Sequence, residues 1–291
     1  MVRIPFYALI MLLLLSCGRN GADTGAPVIT VSIAPYKYFI EKIAGDDYIV
    51  NVMVPAGANP HIYEPYPDQI TSLRKSVAYI SNGYLGFEMT WLDRFYEVNG
   101  SMLKLSLGDN IEPLESDHHH DGDHVESADP HYWVSPRCAR IMAETLKEFL
   151  CDLNPSRSAY FETNYRQLDS IIISVENTAI ELFSGHRNRS FMIFHPNLGY
   201  LARDFGLEEI TVEYEGKEPP PSRLKELIDR ARRDNLKMIF VQKEYDTKNA
   251  KAIADEIGAE IKIIDPLSED WKSSTLEIIY SLNKSLTEST K

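Results

Sequence analysis

An unbroken helical pattern of about 28 residues, from Ser156 to Phe183, constrains the fold of this chain more than any other stretch. At 1.5 Å per residue such a helix is roughly 42 Å long, more than one small lobe needs. On both sides of it, apolar strand-like runs alternate with amphipathic helices. Before it, strands are predicted at 29–33, 48–54, 77–81 and near 103–105, with helices at 36–44, 67–75, 86–96 and 136–151. After it, strands are predicted at 190–194, 209–213, 237–241 and 260–264, with helices at 197–205, 222–234, 247–257 and 270–287. Parallel strands need crossover helices, so this alternation implies α/β lobes with mainly parallel sheets. The expected architecture is α/β: two (βα)-type lobes, 28–155 and 185–291, joined by a long backbone helix at 156–184 and meeting at a cleft.

The charge balance narrows the partners. With 30 Lys and Arg against 43 Asp and Glu among 291 residues, the formal charge is −13. Nucleic acid and anionic membrane surfaces select for Lys and Arg, so neither is expected as the main partner. The N-terminus reads as an address. Arg3 precedes an apolar run, Tyr7 to Leu15, that is too short to span a bilayer. Leu14-Leu15-Ser16-Cys17 resembles a bacterial lipobox, so 1–17 is expected to be a lipoprotein signal with Cys17 lipidated, and 18–27 a tether. The expected location is extracytoplasmic and membrane-anchored, in the periplasm or at the cell surface. Cys138 and Cys151 fall on one predicted helix, roughly 20 Å apart. A disulfide needs Cα atoms within about 7 Å, so two free thiols are expected.

Four residues stand beside prolines in places where a cleft would form: His61, His131, His195 and Asp265. Ligands of open α/β sheets bind beyond the carboxyl ends of the strands. Phe191 to Phe194 runs into His195, Ile261 to Ile264 into Asp265, and the strand ending at Val54 lies shortly before His61. His131 sits in Asp129-Pro130-His131-Tyr132-Trp133, just ahead of a helix. Any one of these histidines can be a satisfied polar residue in a turn. Together, three imidazoles and a carboxylate form a borderline-soft donor set suited to Zn²⁺ in an interlobe cleft. The acidic loop 109–128 adds His118, His119, His120 and His124, either a weak accessory cation site or a solvated insertion. Glu213, Glu215 and Glu218 lack a nucleophile or a paired base nearby and read as a rim or docking surface. Tyr132, Trp133 and Trp271 read as packing near the cleft.

These segments carry a family resemblance. Val54-Pro55-Ala56-Gly57-Ala58-Asn59-Pro60-His61-Ile62-Tyr63-Glu64-Pro65, Asp129-Pro130-His131-Tyr132-Trp133, Phe194-His195-Pro196 and Asp265-Pro266-Leu267 resemble, in order and spacing, the zinc- and manganese-binding solute receptors of bacterial ABC importers (cluster A-I). Ile43-Ala44-Gly45-Asp46, Asn82-Gly83 with Phe87-Glu88, and Glu215 to Ser222 extend the likeness over roughly 29–285. The resemblance implies His61, His131 and His195 as imidazole ligands, and Asp265 or water as the fourth. It also implies an ABC permease with its ATPase subunit as partners, and a monomer. Where some zinc members carry a glutamate before the first ligand, this chain has Pro60. Where manganese members tend to have a carboxylate at the third position, it has His195, which favours zinc over Mn²⁺. Glu64 is expected to hold an imidazole through its other nitrogen. The rival readings are an Mn²⁺ or Fe²⁺ receptor, a zinc-dependent hydrolase and a surface adhesin. The hydrolase lacks a His-Glu-x-x-His motif.

Overall fold

Val28–Val31 (β1), Ile49–Val52 (β2), Ser76–Ser81 (β3) and Leu103–Ser106 (β4) form an all-parallel sheet in the order β2-β1-β3-β4. Ser190–Ile193 (β5), Glu208–Thr211 (β6), Met238–Gln242 (β7) and Glu260–Ile264 (β8) repeat that connectivity as β6-β5-β7-β8. The computed structural model describes residues 25–114, 128–213 and 219–290. Crossovers are made by α1 (Ala34–Ala44), α2 (Pro67–Ser72) and α3 (Gly86–Val98) in the first lobe. In the second they are α6 (Gly199–Phe205), α7 (Pro221–Arg233) and α8 (Lys248–Ile257). In each sheet the chain reverses its direction of winding between the two central strands, so β1/β3 and β5/β7 are switch points where ligands collect.

Three longer helices bind the lobes together: α4 (Pro136–Leu153), α5 (Ser158–Phe183) and α9 (Trp271–Ser289). Pro136 is compatible with the first turn of α4, where its missing N–H is no loss, and the Ser135 side chain caps it by accepting from Arg137 N at 3.2 Å. The 26-residue α5 buries Phe161, Leu168, Ile172, Val175, Ala179 and Phe183, a stripe at helical spacing. That stripe packs on α1 and α4 of the first lobe and on α9 of the second. One apolar core runs from β1 and β3 past α5 to Phe191, Ile193 and Phe240, which face the same way in the second sheet. Met192, Ile239 and Val241 alternate to the other face and form a smaller core with α7 and α8.

Polar ties cross between the lobes as well. Trp133 Nε1 donates to Pro266 O at 2.9 Å, and Trp271 Nε1 donates to Trp133 O at 2.7 Å. Tyr200 OH donates to Asp129 O at 2.8 Å. Cys138 is buried, Cys151 is half-buried, and both are free thiols. Among the described residues, no helix is long and apolar enough to cross a membrane.

Candidate metal centre

The two sheets present their carboxyl ends to a common cleft. His61 lies in the loop after β2, closed by an Asx turn in which His61 N donates to Asn59 Oδ1 at 2.9 Å. Pressed behind that loop is the start of α3. A Cβ at Gly86 would fall inside van der Waals contact with His61 O, so only glycine allows this approach. We expect Gly86→Ala to cost about 1–3 kcal/mol of stability through overpacking and to weaken metal binding with every ligand intact. Denaturant melts and a metal titration of that variant check both effects.

His131 opens a one-turn 3₁₀ helix, His131–Val134, whose placement depends on the β3 exit. Asn82 Nδ2 donates to Pro130 O at 2.9 Å and to Tyr36 OH at 2.6 Å, while Tyr132 OH donates to Asn82 O at 2.7 Å. Asn82 is in turn fixed by the buried Glu88 carboxylate, which accepts from Asn82 N and Gly83 N, each at 2.7 Å, and from Ser32 Oγ. Burial pushes the Glu88 carboxyl pKa up, and these donors oppose that rise. His195 follows β5, and Gln242 at the end of β7 clasps its backbone from the neighbouring strand, accepting from His195 N at 3.4 Å and donating to His195 O.

The three imidazoles converge. His61 Nε2 lies 3.0 Å from His131 Nε2 and 3.1 Å from His195 Nε2, and all three ligand atoms fall within 4.8 Å of one another. His131 Nδ1 donates to Asp129 Oδ1 at 2.7 Å, and His195 Nδ1 donates to the Glu213 carboxylate. Ionised carboxylates can only accept, so both rings carry their proton on Nδ1 and turn the Nε2 lone pair inward. Both of those lone pairs point at His61 Nε2, an arrangement that a cation among the three nitrogens would satisfy. Around a tetrahedral Zn²⁺ with Zn–N bonds of about 2.0–2.1 Å, ligand nitrogens sit roughly 3.3–3.4 Å apart, close to the two spacings from His61. His131 and His195 are buried, each 4% exposed, and Tyr245 stacks on His195 with ring centroids 4.7 Å apart. Burial, with Glu213 close by, holds the Tyr245 phenol far above its ordinary pKa, so it stays neutral. The cavity over the three rings has a volume of about 20 Å³ and is also lined by Asn197, Gln242, Glu244 and Leu267. It has room for a body the size of one water.

Asp265 is placed apart from this group. It follows β8, an edge strand separated from β5 by β7. Its carboxylate pairs at 3.2 Å with the exposed Lys243. Glu64 is exposed, and Asp129 and Glu213 bond to the Nδ1 atoms of His131 and His195. Glu213 is no rim residue: its side chain is 9% exposed and holds His195. The pairing of β6 with β5 brings it there, a neighbour that sequence alone did not reveal. Asp129 was visible two positions before His131, with no role assigned. His118, His119, His120, His124, Cys17, Glu215 and Glu218 lie outside the described residues.

The family model for zinc-uptake complex component A, periplasmic (ZnuA), matches residues 29–286. The chain belongs to the ZnuA family. Members of this family are extracytoplasmic zinc-type metal-binding receptors for uptake, not enzymes. A crystal structure of ZnuA superposes with a TM-score of 0.85 at 36% identity, covering 90% of this chain and 99% of that one. The high-affinity zinc uptake system protein ZnuA of Bacillus subtilis is 24% identical over 273 residues, 88% of this chain and 85% of that protein. The zinc-binding lipoprotein AdcA of Streptococcus pneumoniae is 26% identical over 282 residues, 92% of this chain but 55% of AdcA. This ZnuA-family chain thus spans about half the length of that relative.

Proposed function

We propose that this chain captures Zn²⁺ in the cleft between its lobes and delivers it to an ABC permease served by a cytoplasmic ATPase. The observation that carries the reading is the convergence of three Nε2 atoms, two of them aimed by carboxylates bonded to their Nδ1 protons. A set of three nitrogens without an oxygen donor favours zinc over Mn²⁺ or Fe²⁺. The zinc-binding and zinc-uptake relatives support the same choice. The two carboxylates behind His131 and His195 accept the imidazole protons, so neither serves as a hydrolytic base. In this reading a diacyl anchor on Cys17 holds the receptor at the membrane as a monomer, 1–17 is removed or modified, and 18–27 gives it reach.

Elemental analysis of the purified protein is expected to find close to one zinc per chain, and excess Mn²⁺ is expected not to displace it. Tight Mn²⁺ with weak Zn²⁺ would overturn the choice of metal, and no tight metal would overturn the receptor reading. Acid should release the ion, because a protonated Nε2 has no lone pair to give.

A further inference from the structure

Three imidazoles leave a four-coordinate ion one position short, and the Asp265 carboxylate pairs with Lys243. The cavity wall carries one polar atom with an unmet need. Asn197 is 3% exposed and lines the cavity, and its Oδ1 meets no hydrogen-bond donor among the described residues. A buried amide oxygen without a donor destabilises the protein that carries it, so its persistence asks for a partner that arrives with the ligand. The side chain is not there by loose placement. Asn197 N and Leu198 N both donate to Glu209 Oε1, at 3.2 and 2.8 Å, which fixes the loop between His195 and α6.

We propose that Asn197 is a positioning residue: its Oδ1 accepts a hydrogen bond from the water molecule that completes the coordination of the captured ion. The inference rests on the metal-capture reading above. A metal-bound water is a strong hydrogen-bond donor, because the cation draws electron density from its O–H bonds. An acceptor aimed at it stabilises the loaded state alone and selects a protic fourth ligand over a halide. The bond adds no charge to the site, so the ion remains exchangeable. Glu244 is the other candidate on the wall. Unlike Asn197 Oδ1, its carboxylate is not among the buried polar atoms that lack a partner.

The test compares Asn197→Leu, which is close in shape and has no acceptor, with Asn197→Asp, which retains one. We expect Asn197→Leu to lose about ten-fold in zinc affinity, as is usual when a group that orients a metal's ligand is removed. Its metal-free melting temperature should be unchanged or higher, since an unmet polar atom has gone. Cobalt-loaded Asn197→Leu should show a changed visible ligand-field spectrum, and Asn197→Asp should restore binding. Wild-type zinc affinity in Asn197→Leu overturns the inference. So does a loss of affinity matched by a fall in metal-free stability. A cobalt spectrum altered by Glu244→Gln but not by Asn197→Leu overturns it too. A wild-type protein that takes no zinc overturns the capture reading itself, whereas zinc held equally by wild type and Asn197→Leu overturns only the role of Asn197.

Discussion

His131→Ala is expected to lower zinc affinity by about a hundred-fold or more while the fold survives. Zinc bound by four protein ligands is worth about 10–16 kcal/mol, or roughly 3 kcal/mol per ligand. At 1.4 kcal/mol per factor of ten, one lost imidazole accounts for about two orders of magnitude. The remaining nitrogens of His61 and His195 stay 3.1 Å apart, enough for weak two-point binding. Folding should hold because the turn around His131 is fixed by its neighbours. Tyr132 OH reaches Asn82 O, and Trp133 is bonded through both its side chain and its backbone carbonyl. Asp129 also keeps a donor, since the backbone N–H of residue 131 already donates to its Oδ1 at 2.8 Å. A chelator-competition titration reads the affinity and a circular dichroism melt reads the fold. Near-wild-type affinity in the folded variant would remove the three-imidazole site from the account of this protein.

The three converging imidazoles were legible in sequence for a physical reason. Each is a histidine set in a proline-bounded turn, and such turns punctuate the ends of strands and helices, where open α/β sheets bind ligands. The element pattern was legible for the same local reasons: the 3.6-residue stripe of α5, the apolar run of β5, and Ser135-Pro136 at the start of α4. What sequence could not give was adjacency between elements. Glu213 becomes the partner of His195 only because β6 lies beside β5. Gly86 shows no special backbone angle, so its role appears only when the His61 loop is seen against it. Asn197 followed His195-Pro196 in plain view. Its meaning comes from an oxygen that lacks a donor, a property of packing and not of residue type.

Trp133→Ala is expected to cost about 3–5 kcal/mol of stability, the usual range for deleting a buried tryptophan side chain. Trp133 is 1% exposed, sits between the lobes, donates to Pro266 O and offers its carbonyl to Trp271 Nε1. Its ring also touches the site, with its centroid 5.4 Å from that of His131. The substitution removes an apolar bulk from the joint and leaves Pro266 O without its donor. Trp133→Phe separates these contributions. It keeps most of the bulk and loses only the indole N–H, so about 1 kcal/mol should go with the hydrogen bond. Zinc binding should respond differently from the ligand variant. His61 and His131 come from one lobe and His195 from the other, so a loosened joint spends less time with the three nitrogens assembled. Apparent affinity then falls in proportion to that fraction, with all ligands still present. Urea unfolding with and without zinc reads both effects, because bound zinc stabilises by an amount set by its affinity. Metal-free Trp133→Ala should unfold at lower urea than Trp133→Phe, and Trp133→Phe at lower urea than wild type. If Trp133→Ala unfolds at the wild-type midpoint, α5 and its contacts to α1 and α9 hold the lobes together without the indole clasp.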